Sequence, residues 1–283
     1  MKYFWALLVS ICCSSEGFAQ VVTDAPGDVF RITQTHSSES KGDNGSSSSS
    51  RGGHEYVERV DAVGSEGTER TFDITLDPDD ERRLIEWQFP ARVLVAHNGT
   101  LELLNRDDLE RRRDAWLEAA KIPAEACGSW YFTWNAFQVE CDPDTILETI
   151  RSITIQPPEL SEGGFYEHPM ALSPGRLVKE HSAGEGSNYS VVLEVDPDAV
   201  RRAEARSDVV VGEIMREPVS FESAYAERAQ EQISGTIEIT LEARGDGTFW
   251  KRSTLIEIEK RLPDGTSERE SSIEVIERVP LES

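Results

Sequence analysis

Gly235-Thr-Ile-Glu-Ile-Thr-Leu-Glu242 alternates apolar and polar residues at the two-residue period of a β-strand. Two later stretches repeat the alternation, and glycine-containing turns at 245–247 and 263–265 separate the three. Their apolar positions are Trp250, Ile256 and Ile258 in the second stretch and Ile273, Val275 and Val279 in the third. One apolar and one charged face are typical of an antiparallel sheet with one face in water. Residues 235–279 are therefore predicted to form a three-stranded meander.

Segments upstream predict more antiparallel strands. Asn98-Gly99 separates two apolar runs, and this dipeptide is a strong hairpin signal because both turn residues need positive φ. Residues 37–53 are rich in serine and glycine and offer nothing to a core, so we expect a disordered loop there, at the tip of a long hairpin. Further strands are predicted at 28–36, 54–63, 70–76 and 189–195.

Helix-start signals precede the remaining periodic segments. Asn105 and Ser220 are N-cap residue types, and Asp-Pro-Asp occurs at 77–79, 142–144 and 196–198. In the triplet, the first aspartate can cap, proline suits the first helical position, and the second aspartate faces the positive end of the helix dipole. The alternative is an acidic cation-binding motif, but capping explains all three triplets without a metal.

These elements predict an α+β fold in which a large twisted antiparallel sheet of hairpins and a meander carries about four helices on one face. The helices are expected after Asn105, Asp142, Asp196 and Ser220. The general plan resembles that of periplasmic lipid or lipoprotein carriers, in which a curved, half-barrel sheet holds helices in its concavity. The resemblance is architectural, and no residue motif carries it, so it assigns no site residue.

Residues 20–283 are predicted to form a single domain. Residues 157–186 form an irregular connection rich in proline and glycine. A loop of that length is uncommon inside a compact domain. It is interpreted either as a functional flap or as the boundary between two subdomains, 20–156 and 187–283.

Residues 1–19 have the pattern of a secretory signal peptide. Lys2 precedes an apolar run over 3–13, and Gly17 and Ala19 place small residues before the predicted cut. The run is too short to span a bilayer, and the rest of the sequence contains no run that is long enough, so we expect no transmembrane segment. The predicted location is periplasmic or extracellular, and the alternative is a lipoprotein anchored at a cysteine that ends the apolar run.

Cys127 and Cys141 remain after removal of the signal peptide, and an even number of cysteines in an exported chain predicts one disulfide. The alternative is two buried thiols. The sequence between them predicts a strand with Trp130, Phe132 and Trp134 on one face. Such a face either packs into a core or forms a stacking or lipid-contact surface. These three side chains are the candidate ligand-binding residues.

Charge and motifs exclude several function classes. The 283 residues contain 53 Asp plus Glu against 29 Lys plus Arg, a formal net charge of −24. Nucleic-acid binding needs a basic footprint, so it is not expected. The sequence contains no nucleophile elbow, phosphate-binding glycine loop or His-Glu-x-x-His motif, and we assign no catalytic residue, cofactor or metal ligand. His36 and His54 would approach each other if the first hairpin closes.

The sequence therefore favours a non-enzymatic binding protein of the cell envelope that takes a hydrophobic ligand or a protein partner. Its acidic surface suits a cationic partner. Two alternatives stay open. One is a carboxylate-dependent hydrolase with a cleft near 156–187, and the other is a structural or assembly factor.

Overall fold

The computed structural model describes residues 24–77, 79–132, 136–155, 163–180, 186–245 and 247–281, with the backbone alone at 132 and 136. Over these ranges one large antiparallel sheet carries four α-helices, which confirms the predicted fold class. The strands are β1 (Val29–Gly42), β2 (Ser47–Val63), β3 (Gly67–Ile74), β4 (Ala91–Ala96), β5 (Leu101–Leu103), β6 (Trp130–Phe132), β7 (Ala136–Gln138), β8 (Phe165–Tyr166), β9 (Gly175–Arg176), β10 (Val178–Glu180), β11 (Ser187–Glu194), β12 (Gln232–Ala243), β13 (Phe249–Arg261) and β14 (Ser267–Pro280). The helices are α1 (Arg106–Ala120), α2 (Ile146–Ile153), α3 (Pro197–Met215) and α4 (Phe221–Arg228). The predicted signal peptide lies outside the described residues.

The large sheet has the strand order β10-β11-β12-β13-β14-β1-β2-β3-β4-β5, with every neighbouring pair antiparallel. The first and last strands of the chain therefore pair near its middle, from Phe30 opposite Pro280 to Gly42 opposite Glu268. The predicted meander is β12–β14, and the Asn98-Gly99 signal marks the β4–β5 hairpin, where Gly99 has a φ of 81°. The strands β10 and β5 are the two edges.

The structure differs from the loop expected over 37–53. Residues up to Gly42 continue β1, and residues from Ser47 begin β2, so the serine-rich stretch is paired strand. The reason is tertiary. β14 pairs with β1 along this length, and β1 in turn pairs with the serines of β2, so backbone hydrogen bonds hold the strand without apolar side chains. The turn is tight, with Gly45 at a φ of 85°, and Asp43 Oδ2 accepts a 2.9 Å bond from the N–H of Ser267.

The predicted caps are confirmed at three helix starts. The side chains of Asp142, Asp196 and Ser220 accept backbone N–H bonds of 3.0, 2.9 and 3.2 Å, respectively. After 77–79, in contrast, Asp80 is the cap, and it begins only a 3-10 turn over Glu81–Leu84. Hydrogen bonds from Arg82 lower the pKa of Asp80 to about 2.

Asn105 has a different role from the predicted cap. Its side-chain oxygen accepts a 2.8 Å bond from the N–H of Arg92, and its Nδ2 donates to the carbonyl of Pro90 at 3.1 Å. The residue therefore ties the start of α1 to the start of β4.

Two apolar cores lie on the helix-bearing face of the sheet. The first core is formed by β1–β4, α1 and α2, and its members include Ile32, Tyr56, Phe72, Trp87, Leu109, Ile146, Ile150 and Ile153. The second core lies over β11–β13, and its members include Leu177, Val191, Leu193, Val200, Ile237, Ile239 and Leu241. Phe249 packs against both cores. Burial of these side chains is the main favourable contribution to folding, at about 25 cal/mol per Å² of apolar surface.

Polar side chains occupy the same face between the two cores. Gln34 Nε2 donates to Glu274 at 2.8 Å, and an Arg252 nitrogen lies 3.5 Å from that carboxylate. Arg252 also donates to the carbonyl of Thr154, just beyond α2, at 3.2 Å. The inner surface of the sheet is thus apolar at its two sides and polar in between.

One buried ion cluster joins three strands and the N-terminal segment. Glu58 is 1% exposed and is contacted by Arg70 and Arg278, which are also buried, and Asp24 contacts both arginines at 2.8–2.9 Å. Burial alone lowers the pKa of Arg278, but the carboxylates of Glu58 and Asp24 outweigh it, so the pKa is raised. Because two carboxylates face two guanidiniums, this Glu58 cluster is electrically neutral.

A second ionic contact attaches α3 to the sheet. Lys260 on β13 is 6% exposed, and its Nζ donates to Glu204 of α3 while Glu270 lies 3.4 Å away. Burial lowers the pKa of Lys260, but the carboxylates of Glu204, Glu270 and Glu268 outweigh it, so the pKa is raised above its ordinary value.

The described part of the irregular connection, 163–180, packs onto the second core. Leu177 is 2% exposed, and a Cβ on Gly175 would lie 2.3 Å from a side-chain methyl of Leu193, so the connection passes close over β11. Whether the connection divides two subdomains stays a prediction. None of the helices in the described ranges is both long and apolar enough to cross a membrane.

Candidate functional site

The segment between the two cysteines is a hairpin closed by a disulfide. Cys127 and Cys141 are bonded, with their Cα atoms 5.5 Å apart, which confirms the predicted disulfide. The strands β6 and β7 pair antiparallel, with Tyr131 opposite Phe137. The single strand expected here was wrong, because an extended run at about 3.3 Å per residue would hold the two cysteines more than about 40 Å apart.

The base of the hairpin is buried, and its strands are held by neighbouring helices. Ala126 and Val139 are 5% and 2% exposed, which places the base in the protein interior. The backbone N–H of Trp130 donates to Glu213 Oε1 of α3 at 3.0 Å. On the other side, Nη1 of Arg113 in α1 donates to the carbonyl of Cys141 at 3.2 Å. The hairpin therefore connects α1 with α3.

The described surface of the hairpin is aromatic. The rings of Tyr131 and Phe137 are stacked, with centroids 6.0 Å apart and planes 24° apart. The two residues are 45% and 43% exposed. Such pairs contribute about 0.5–1.5 kcal/mol beyond area burial, so the two rings hold each other in place while leaving one side of each in water.

The structure tests the three predicted ligand-binding residues only in part. Trp130 is half-buried and lies across from Gln138. The side chain of Phe132 and the whole of Trp134 fall outside the described residues, so their role stays a prediction. The residues that sequence reasoning missed are Tyr131 and Phe137.

A signal for the missed pair was available in the cysteine positions. A hairpin symmetric about residue 134 places Cys127 opposite Cys141, and the same register places Tyr131 opposite Phe137. The predicted disulfide therefore implies both the hairpin and its aromatic pair.

The arginines of α1, near the hairpin base, are paired with carboxylates. Arg106 contacts Asp144, Arg111 and Arg112 contact Asp108, and Arg113 contacts Asp114. Three carboxylates thus face four guanidiniums, so most of the positive charge of this cluster is compensated locally. Burial lowers the pKa of Arg112 despite the carboxylate of Asp108.

The histidines form no comparable site. His36 and His54 lie on the same face of neighbouring strands, as the closing hairpin predicts, but the ring of His36 lies over Gly52, whereas that of His54 stacks on Tyr56 at 6.2 Å. Burial lowers the pKa of His168, in the irregular connection. Within the described residues, no group of three or more His, Cys, Asp or Glu side chains could hold a metal ion.

Comparison with known proteins adds little to this description. No family model and no curated protein matches the chain. Among solved structures, it is similar to one described as "Lipid-protein interactions in lipovitellin", with a TM-score of 0.41 and 11% identity over 92% of this chain. It spans about a quarter (26%) of the lipovitellin chain.

The chain is also similar to OmpTdeltaL8, a loop L8 deletion mutant of OmpT, an outer membrane protein of Vibrio cholerae. That likeness has a TM-score of 0.22 and 8% identity, and covers 90% of this chain and 100% of that chain. Both likenesses are too distant to support an argument about function.

Proposed function

We propose that this chain is a non-enzymatic, exported binding protein that holds a protein partner through the disulfide-closed hairpin. The observation that carries the proposal is the stacked pair of Tyr131 and Phe137, both more than 40% exposed. Aromatic side chains are enriched at protein interfaces, and the few residues that dominate binding energy are often aromatic.

The hairpin is also organised before any partner arrives. The disulfide fixes its ends, and α1 and α3 each hold it with a hydrogen bond. A surface that is already ordered loses less conformational entropy on binding, which favours affinity. Export is supported by the signal-like residues 1–19 and by the disulfide, since disulfides persist in oxidising compartments.

A protein partner is favoured over a hydrophobic molecule enclosed between sheet and helices. The helix-bearing face is occupied at both sides by packed cores, and polar groups such as Gln34, Arg252 and Glu274 lie between them. Burying those groups against an apolar ligand would cost free energy unless every hydrogen bond were kept.

The proposal is tested with three forms of the full chain, each expressed in the cells that naturally make the protein and recovered from their envelope. The forms are wild type, the double variant Tyr131→Ser/Phe137→Ser, and Phe165→Ser. Phe165 is 64% exposed elsewhere on the surface and is the matched control. Each form is crosslinked, purified and measured by native mass spectrometry, before and after extraction with organic solvent. Circular dichroism checks that each is folded.

We expect one protein mass to be retained by wild type and by the control, and to be lost from the double variant. Loss of two anchoring aromatics typically weakens binding by about 2 kcal/mol or more, or roughly 30-fold. A partner retained equally by all three forms would refute the role of the hairpin. A bound mass that organic solvent removes would instead support the hydrophobic-ligand alternative.

A further inference from the structure

A groove crosses the sheet on the face opposite the helices. It spans β12, β13, β14 and β1, and its volume is about 450 Å³, within the range of about 300–1,000 Å³ typical of ligand sites. Two rows of cross-strand neighbours line it: Thr236, Glu257, Ser271 and Glu39 in one row, and Ser234, Glu259, Arg269 and Lys41 in the other.

The other charged side chains of the two rows pair with one another, whereas Glu257 is left over. Lys41 Nζ lies 3.3 Å from Glu39, and Arg269 lies 3.6 Å from Glu259. Glu257 has no ion pair or side-chain hydrogen bond among the described residues, and its cross-strand neighbours are the hydroxyl residues Thr236 and Ser271. The middle of the groove therefore presents one uncompensated carboxylate flanked by two hydroxyls.

An apolar pair lies next to the groove on the same face. The register places Val192, Glu238, Leu255 and Ile273 in one line across β11, β12, β13 and β14, so Leu255 and Ile273 are direct neighbours. Val192 is 64% exposed and Ile273 is 41% exposed, so this line faces water. Leu255 is two residues from Glu257 on the same strand, a separation of about 7 Å.

We propose that the groove binds an extended basic segment of a partner protein, with a lysine or arginine side chain on Glu257. In an extended segment, side chains two positions apart point the same way and lie about 7 Å apart. A segment that lies along β13, across the groove, with a cation on Glu257 would thus place an aliphatic side chain, two positions on, against Leu255 and Ile273. The Thr236 and Ser271 hydroxyls can accept the remaining donors of an ammonium group.

The charge of the whole chain supports the same occupant. A formal net charge of −24 attracts cationic segments over long range and raises their rate of association. The site is separate from the aromatic hairpin, so the two proposals can fail independently.

The test uses the full mature chain and a fluorescein-labelled decapeptide in which lysine and valine alternate at every second position with threonine between them. Binding is followed by fluorescence anisotropy at physiological ionic strength. Glu257→Gln removes the proposed contact. Glu55→Gln is the matched control, because Glu55 on β2 is an exposed carboxylate on the same face of the sheet, away from the groove and from Leu255 and Ile273.

We expect Glu257→Gln to weaken peptide binding at least 10-fold and Glu55→Gln to change it less than 2-fold. The Tyr131→Ser/Phe137→Ser variant should bind the peptide as wild type does. Four results would each overturn the proposal: no binding by wild type, equal weakening by both glutamine variants, unchanged affinity when norleucine replaces lysine, or cadaverine binding as tightly as the peptide. The last would indicate a site for free amines.

Discussion

Replacing Glu58 with glutamine removes one charge from the buried Glu58 cluster. Glu58 Oε2 accepts a 2.7 Å bond from Nε of Arg278, and Oε1 accepts one from Nη1 of Arg70. In the variant, two guanidiniums face only Asp24, and the cluster acquires a net charge of +1 in a site where Arg70 and Arg278 are 7% and 6% exposed.

The expected loss of unfolding free energy is about 3–5 kcal/mol, the usual cost of leaving a buried charge without its partner. At a urea slope of about 3 kcal/mol per molar, this moves the unfolding midpoint down by roughly 1–2 M. The matched control is Glu259→Gln, because Glu259 is exposed and lies 3.6 Å from an exposed Arg269. That pair should contribute less than about 1 kcal/mol.

Urea unfolding of both variants is followed by far-ultraviolet circular dichroism at pH 7. If Glu58→Gln does not fold, Asp24→Asn is measured instead, with an expected loss of about 2 kcal/mol because Asp24 lies at the N-terminal end of the described chain. The argument that charge balance holds this cluster is refuted if the loss of unfolding free energy in Glu58→Gln lies within about 1 kcal/mol of the loss in Glu259→Gln.

Three further predictions concern the disulfide, a buried lysine and a close strand contact. Replacing Cys127 and Cys141 together with alanine should cost about 3 kcal/mol in urea unfolding, the loop-closure value for about 15 residues, and should speed hydrogen exchange in the hairpin without changing it in the cores. The folded-state pKa of Lys260 is raised above its unfolded-state pKa near 10.5. The stability of the wild type should therefore begin to fall above pH 10.5 and continue to fall as the pH rises through the folded-state pKa. Thermal melts of Lys260→Met should show a flatter pH dependence above 10. A Cβ on Gly235 would lie 2.2 Å from a backbone carbonyl oxygen, so Gly235→Ala should lower the melting temperature by several degrees. The control is Gly64→Ala, which should be close to neutral because a Cβ there would lie 4.0 Å from its nearest neighbouring atom.

The parts of the fold that were predicted from sequence are those in which local and tertiary preferences agree. The alternation in β12–β14 and the caps at Asp142, Asp196 and Ser220 identify elements through short-range chemistry. The serine-rich part of β1 and β2 could not be identified this way. Its β1 half pairs with β14, more than 200 residues away in sequence, and its β2 half pairs with that β1 half, whereas its own serine and glycine side chains carry no β preference.

The candidate site was located but its geometry was not predicted. The aromatic run between the cysteines drew attention to the segment that the present proposal uses, and the disulfide was correctly expected. Alternation along a single strand then selected Trp130, Phe132 and Trp134, whereas the turn in the hairpin exposes Tyr131 and Phe137. The hydrogen bonds that Glu213 and Arg113 make with the hairpin depend on how α3 and α1 pack. No local sequence pattern encodes that packing.

The pairing of β1 with β14 also bears on the order in which the molecule can assemble. Phe30 lies opposite Pro280, so the middle of the sheet joins residues from the two ends of the chain. While the chain is being made, β2–β5 can associate early, but β1 lacks its second neighbour until the last strand has emerged. Such distant contacts are slow to form, and an unpaired strand edge is prone to associate with other chains. Truncation within β14 would therefore leave an open edge in the centre of the sheet.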